Sequence, residues 1–392
     1  MGGSSSAVAS SGFGVSALDS TAEAVAAAVK DASASLPDSG SKIAIVACTV
    51  DRDVDEVQRE FSKALPGVPI HGLTSSANIL QGTGAVPKGV GCLLITAPEG
   101  CFAAAGSLSG DAAAAAAELQ GKMASPKAVI MSTVPGSEEG AIKAIEAVFP
   151  GVQIFGGTAA DNELKGAWKV FNADGTGGSG VLLVAVGADV KFGASMGGPY
   201  TATPQAVVAT KAEGRRVFEI DGKPASDWVF AWLGDAVKEQ YENGGLVLPA
   251  TAQKPIGIKQ ASGEYISLHL AALGGAEKYV DFFAPVPQGS ELVVMDSADG
   301  PSTGYANFLA ASYDTAMAAG GLTDPKAGIL IYCGGMSIAV GENLDVGLKG
   351  PFAAKIKSLP MLGMTCFGEQ ACLPAAKQNV QRNLSLGMLL FQ

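Results

Sequence analysis

Pro66-Gly-Val-Pro-Ile-His-Gly-Leu-Thr-Ser-Ser-Ala-Asn78 returns 84 positions later as Pro150-Gly-Val-Gln-Ile-Phe-Gly-Gly-Thr-Ala-Ala-Asp-Asn162. Pro, Gly, Val, Ile, Gly, Thr and Asn coincide, and one fixed offset rarely yields such agreement by chance. Both copies have the same physical logic. A helix ends at Pro-Gly, a short apolar strand follows, and a turn of small residues then exposes hydroxyl and amide groups.

The same offset extends upstream. Ile43-Ala-Ile-Val-Ala-Cys-Thr-Val50 aligns without a gap on Lys127-Ala-Val-Ile-Met-Ser-Thr-Val134, each an apolar run of strand length. Between strand and turn lies a helical pattern. In the first copy Val54, Val57, Phe61, Ala64 and Leu65 share one face, and acidic residues open its first turn. A third, more distant copy lies near the C-terminus. Gly328-Ile-Leu-Ile-Tyr-Cys333 is its strand, and Pro360-Met-Leu-Gly-Met-Thr-Cys-Phe-Gly-Glu369 places Gly363, Thr365 and Glu369 where the first copy has Gly72, Thr74 and Asn78. Further helices are expected at 20–32, 110–123 and 303–317, and each copy closes on another strand.

The unit reads strand–helix–strand–helix–strand–strand. The expected fold is therefore α/β, with internally repeated strand–helix units forming layered sheets. Residues of about 200–290 break the repeat. Alternating patterns there, such as Gly263-Glu-Tyr-Ile-Ser-Leu-His-Leu270, predict a β-rich insertion in the C-terminal half, with Trp228 and Trp232 in its core. The third repeat then covers about 291–392.

Composition narrows function. The 392 residues carry a net charge of −11, which disfavours nucleic acid as a partner. No apolar run reaches the roughly 20 residues of a membrane span. The six cysteines form no Cys-x-x-Cys pair, which predicts reduced thiols in the cytoplasm. With only His71 and His269 in the chain, a His-rich metal site is ruled out, and no metal or other cofactor is expected. Residues 1–14 read as a flexible Gly/Ser-rich tail. Gly2 followed by Ser6 also fits a myristoylation pattern, which would give at most weak membrane attachment.

Gly72-Leu-Thr-Ser-Ser-Ala77, Phe155-Gly-Gly-Thr-Ala-Ala-Asp161, Val217-Phe-Glu-Ile-Asp-Gly-Lys-Pro224, Ile331-Tyr-Cys333 and Phe367-Gly-Glu369 occur in an order that resembles the FIST family across about 15–392. The resemblance implies an N-terminal FIST domain over 15–199, made of two tandem repeats, and a C-terminal one over 200–392. It further implies a sensory domain of signal transduction for small ligands, with amino acids suggested for the family, acting through a protein partner. The chain departs from the family around Thr365. Met364 and Cys366 stand where aromatic residues are usual, and Arg382-Asn383-Leu384-Ser385 replaces a usual His-Asn start.

The ligand site is expected where the three turns converge at strand ends. Candidate ligand-binding residues are Thr74, Ser75, Asn78, Thr158, Asp161, Asn162, Cys333, Thr365, Glu369, Arg382 and Asn383. Asp161 or Glu369 could hold an ammonium group; exposed backbone N–H groups, Arg382 or Arg216 could hold a carboxylate. Read singly, Thr, Asn and Asp are turn caps. Cys333 is the best nucleophile candidate, ending a strand before Gly334-Gly335, but the sequence links no base to it. Cys48 and Ser132 stand at its repeat positions, which favours packing. Neither Gly334-Gly335 nor Gly175-Thr-Gly-Gly178 is followed by Lys-Ser/Thr, so neither is a P-loop, and Phe155-Gly-Gly supplies no Gly-x-Gly-x-x-Gly pattern. Three functions remain: a small-ligand sensor without catalysis, a structural or adaptor subunit of a larger assembly, and a thiol-dependent enzyme using Cys333.

Overall fold

Strand Ser41–Thr49 shows the principle of the architecture. Ile43, Ile45 and Ala47 point into one cluster, whereas Ala44, Val46 and Cys48 point into another. Both faces of the strand are apolar because both are covered. One cluster is a shared centre, filled from three sheets. The other is the layer between the first sheet and helices Thr21–Ser33 and Val54–Ala64. The computed structural model describes residues 8–37, 40–297 and 301–392. Gly2 lies outside them.

Each unit runs strand, helix, strand, helix, strand, hairpin, strand. The hairpin is one more element than the sequence pattern predicts, because its arms are only three to five residues long. In the first unit the opening strand Ser10–Ser16 lies beside the closing strand Val90–Ala97. That strand pairs antiparallel with Ser41–Thr49, which pairs in parallel with Ile70–Ser75. The second unit repeats this order with Phe102–Ser107, Val181–Val186, Ala128–Thr133 and Gln153–Thr158. The third repeats it with Phe192–Gly197, Leu386–Phe391, Ala327–Cys333 and Met361–Cys366.

No unit keeps its own hairpin. The first unit's hairpin, Asn78–Gln81 with Gly84–Pro87, extends the third unit's sheet at Met361–Cys366. The second unit's, Val170–Asn172 with Gly175–Gly177, extends the first sheet at Ile70–Ser75. The third unit's, Glu369–Leu373 with Gln378–Arg382, extends the second sheet at Gln153–Thr158. The exchange is cyclic, giving three six-stranded sheets around one core in a pseudo-threefold arrangement.

Glycine permits this exchange. Gly72, Gly156 and Gly363 hold the same register position opposite the incoming hairpin, facing Phe171, Gln370 and Leu80. A Cβ on Gly72 would lie 2.4 Å from the Phe171 ring, and one on Gly363 2.7 Å from Leu80.

Four expectations change. Within the stretch expected as a tail, residues 10–14 belong to an edge strand paired with Val90–Ala97. The third unit opens at Phe192–Gly197, before the insertion, and resumes at helix Pro301–Gly320. The insertion runs to Glu291–Ser297, which pairs with the long strand Tyr200–Glu213. Finally, the ungapped strand alignment slips by one. Opposite the equivalent glycines stand Val46, Met131 and Leu330, so Cys48 corresponds to Thr133 and Tyr332, not to Ser132 and Cys333. A slip of one reverses the faces of a strand, so the packing argument from Cys48 does not transfer to Cys333.

The Trp228 and Trp232 rings lie 5.2 Å apart, tilted by 31°, and pack partly buried against the insertion's core, as their helical spacing predicts. Among the described residues no helix is long and apolar enough to cross a membrane.

Gly72→Ala is expected to cost about 1–3 kcal/mol through overpacking, and Phe171→Ala about 3–5 kcal/mol through cavity formation. The double variant should cost clearly less than the sum, because the new methyl occupies space the ring vacates. Urea unfolding of the four proteins checks this.

Candidate functional site

The second central strand of each unit carries an equivalent threonine at its last or next-to-last position, and the three ends lock together. Ser76 N–H donates to Thr365 O (3.0 Å), Ala160 N–H to Thr74 O (2.9 Å), and Phe367 N–H to Thr158 O (3.1 Å). Each bond runs from two residues past one threonine to the carbonyl of the next, closing a ring of three units.

The side chains at this junction are mostly fastenings. Thr74 Oγ1 accepts from Lys169 N–H, and Ser75 Oγ accepts from Thr365 N–H while donating to Asn78 O. Thr158 Oγ1 donates to Glu138 Oε1 and accepts from Gln370 Nε2. Asp161 spends both carboxylate oxygens on the N–H groups of Glu163, Leu164, Lys165 and Ala167. Its carboxylate therefore has no room for a ligand ammonium. Arg382 is buried and donates to Ser267 Oγ and Tyr265 O. Arg216 forms a two-pronged pair with Asp281. Asn162 bridges Asp51 and Ala77 N–H, tying the second unit's loop to the first unit's turn.

Above the ring opens a cavity of about 550 Å³ lined by all three units and the insertion. Of the candidate residues, Asn78, Asn162, Cys333, Thr365 and Asn383 line it. Thr74, Ser75, Thr158, Asp161, Glu369 and Arg382 lie outside its lining. Phe283, Leu248 and Phe367 make apolar walls, and Leu246 and Ile338 stand half exposed there.

Sequence reading missed the ionic element of the wall. Glu138, only 2% exposed, opens helix Glu138–Val148. Its Oε2 accepts from Gly136 N–H and from Arg215 Nη2 (2.8 Å), and Arg215 also reaches Glu139. Burial raises the Glu138 carboxyl above its ordinary range, and the Arg215 charge opposes that rise. Glu138 was hidden among ordinary first-turn acids. Nothing in the sequence distinguishes Arg215 from its neighbour Arg216.

Cys333 takes a hydrogen bond from Leu384 N–H at 3.2 Å. Burial, and secondarily the Glu369 carboxyl, push its thiol up. Glu369 itself is fully buried, one carboxyl oxygen has no partner, and burial raises it well above the carboxylate range. At both Glu369 and Cys333, burial therefore disfavours the charged form. His269 lines the same cavity, with Nε2 3.3 Å from Leu248 O, and burial lowers it to about 4. Among the described residues no cluster of His, Cys, Asp and Glu is arranged to hold a metal ion.

A family model for the FIST N domain matches residues 42–223, and one for the FIST C domain matches 227–372. The chain belongs to the FIST family. FIST domains are sensory domains of signal transduction. The N-domain match runs past the first two units into the insertion, and the C-domain match stops before closing strand Leu386–Phe391. The FIST cavity therefore lies between the two matched regions, with walls from both. The chain is also similar to an uncharacterized protein of Methanocaldococcus jannaschii, 30% identical over 152 residues. That match spans 37% of this chain and 29% of the relative's length.

His71 and His269 are both buried as neutral rings, lowered to about 4. Below about pH 6.5 the unfolded chain binds protons there that the folded chain refuses, so stability falls as pH drops from 6.5 toward 4. The slope is up to about 1.4 kcal/mol per pH unit for each ring. His269→Gln is expected to flatten that acid limb, as read by urea unfolding between pH 7 and 4.5.

Proposed function

We propose that the chain is a cytoplasmic receptor module of signal transduction. It binds an amino acid or similar small metabolite in the cavity above the threonine ring, performs no catalysis, and passes occupancy to a protein partner. The observation that carries this reading is the joint lining of one cavity of about 550 Å³ by all three units and the insertion. That volume lies within the range of small-molecule sites, roughly 300–1,000 Å³, and the mix of apolar walls with a few convergent polar groups is typical of them.

The thiol-enzyme alternative gains one supporting fact, since Cys333 and His269 line the same cavity. Electrostatics argues against it. A reactive cysteine needs surroundings that favour the thiolate. Here burial and the Glu369 carboxyl raise the thiol, and burial keeps His269 uncharged at neutral pH.

A thermal-shift and calorimetric screen of amino acids and small metabolites tests the receptor reading. A specific ligand at 100-fold over its Kd is expected to add about 2.7 kcal/mol to stability. Absence of any ligand across the panel, together with none retained in native mass spectrometry, would leave the adaptor reading. Separately, Cys333 in the native protein should alkylate more slowly than free cysteine at pH 7.5. Faster alkylation, blocked by Cys333→Ser, would favour the enzyme.

A further inference from the structure

Resting on the receptor reading, we infer that the cavity recognises its ligand through an uncharged amide-type head, a carboxamide or lactam, presented to His269 and Asn383. Proton accounting leads there. A carbonyl can only accept, so the contact with Leu248 O at 3.3 Å places the proton of the neutral His269 ring on Nε2. Nδ1 is then an acceptor. Residue 335 keeps the space beside it open: a Cβ on Gly335 would lie 2.8 Å from Nδ1.

Asn383 supplies the opposite half. The backbone N–H of His269 can only donate, so its long 3.5 Å contact with Asn383 suits Oδ1 rather than Nδ2 on that side. The Nδ2 donor is left without a partner although the residue is only 1% exposed. A buried unpaired donor is costly and marks a position where a partner is missing. Acceptor and donor thus belong to two neighbouring residues that both line the cavity. Their complement is a group with a donor and an acceptor side by side.

The charges of the cavity point the same way. Within the lining Arg215 is engaged by Glu138, and it also pairs with Glu139, which lies outside the lining; Glu163 is paired with Lys165. Cys333 is a neutral thiol. A carboxylate or ammonium at the His269–Asn383 wall would lose its hydration without meeting a free opposite charge. A neutral amide loses far less.

Isosteric probes test this with the intact chain at pH 7.5: nicotinamide against nicotinate and 3-(aminomethyl)pyridine, and glutamine against glutamate. Calorimetry should show the amide of each set binding at least about ten-fold more tightly than its charged counterparts. Asn383→Leu should erase that preference while keeping a cooperative melt, and His269→Phe should do the same. Equal or tighter binding of a charged probe would overturn the inference and leave the receptor reading standing. An undiminished preference in a folded Asn383→Leu variant would overturn the assignment to this wall. Failure of every probe, and of the wider metabolite panel, would remove both readings.

Discussion

Three backbone hydrogen bonds hold the geometry of this protein together. Each unit sends the chain just past its threonine onto the carbonyl of a neighbouring unit's threonine. Each then delivers a hairpin to a sheet it does not otherwise belong to. No unit can complete its own sheet, so a unit alone would leave an unpaired edge at its second central strand. The exchange removes that edge three times over and forces the three strand ends to meet at one point. Where they meet, side chains from all three units can address one cavity.

The polar residues at this point divide by task. Thr74, Ser75 and Asp161 fix backbone groups, and Thr158 ties the side chains of Glu138 and Gln370, so their oxygens are spent within the fold. Buried hydrogen-bonding capacity of this kind is rarely spare, because an unsatisfied group far from water is costly. The residues free to serve a ligand are those whose partners are incomplete, and Asn383 is the clearest example along the cavity wall. Residue type identified the neighbourhood, whereas hydrogen-bond accounting separates fastening from recognition.

Much of the fold was legible in the sequence because the repeat is imposed by sterics. Gly72, Gly156 and Gly363 face an incoming hairpin, and a side chain there would collide with it, so small residues mark the same site in each copy. The destination of each hairpin was not legible. Its short arms carry no pattern that says which sheet they join, and the partner lies hundreds of residues away for Leu80 and Gly363. Strand periodicity also left room for a slip of one, which paired Cys48 with Cys333 until the register placed it with Tyr332. Arg215 carried no signal of its own. It lies in the two-residue turn between strands Tyr200–Glu213 and Arg216–Ile220 and reaches Glu138 from there, whereas Arg216 opens the next strand and pairs with Asp281.

The insertion converts a junction into an enclosure. Arg215, Leu248, His269 and Phe283 come from it, while the opposing wall belongs to the repeated units. Polar links between the two sides near the cavity include Arg215 to Glu138, Ser267 Oγ to Asn383 O, and Gln253 to Ala339 O. These contacts join the shared sheet core to a second core, which the insertion builds together with Leu373 and Val380 of the third unit's hairpin. On the receptor reading, a ligand touching both walls adds contacts that exist only when the two cores are correctly docked. It can therefore favour that docked arrangement only by its difference in affinity for docked and undocked forms. On that reading the boundary between insertion and units is where occupancy would alter the molecule, because that is where the walls of the cavity meet.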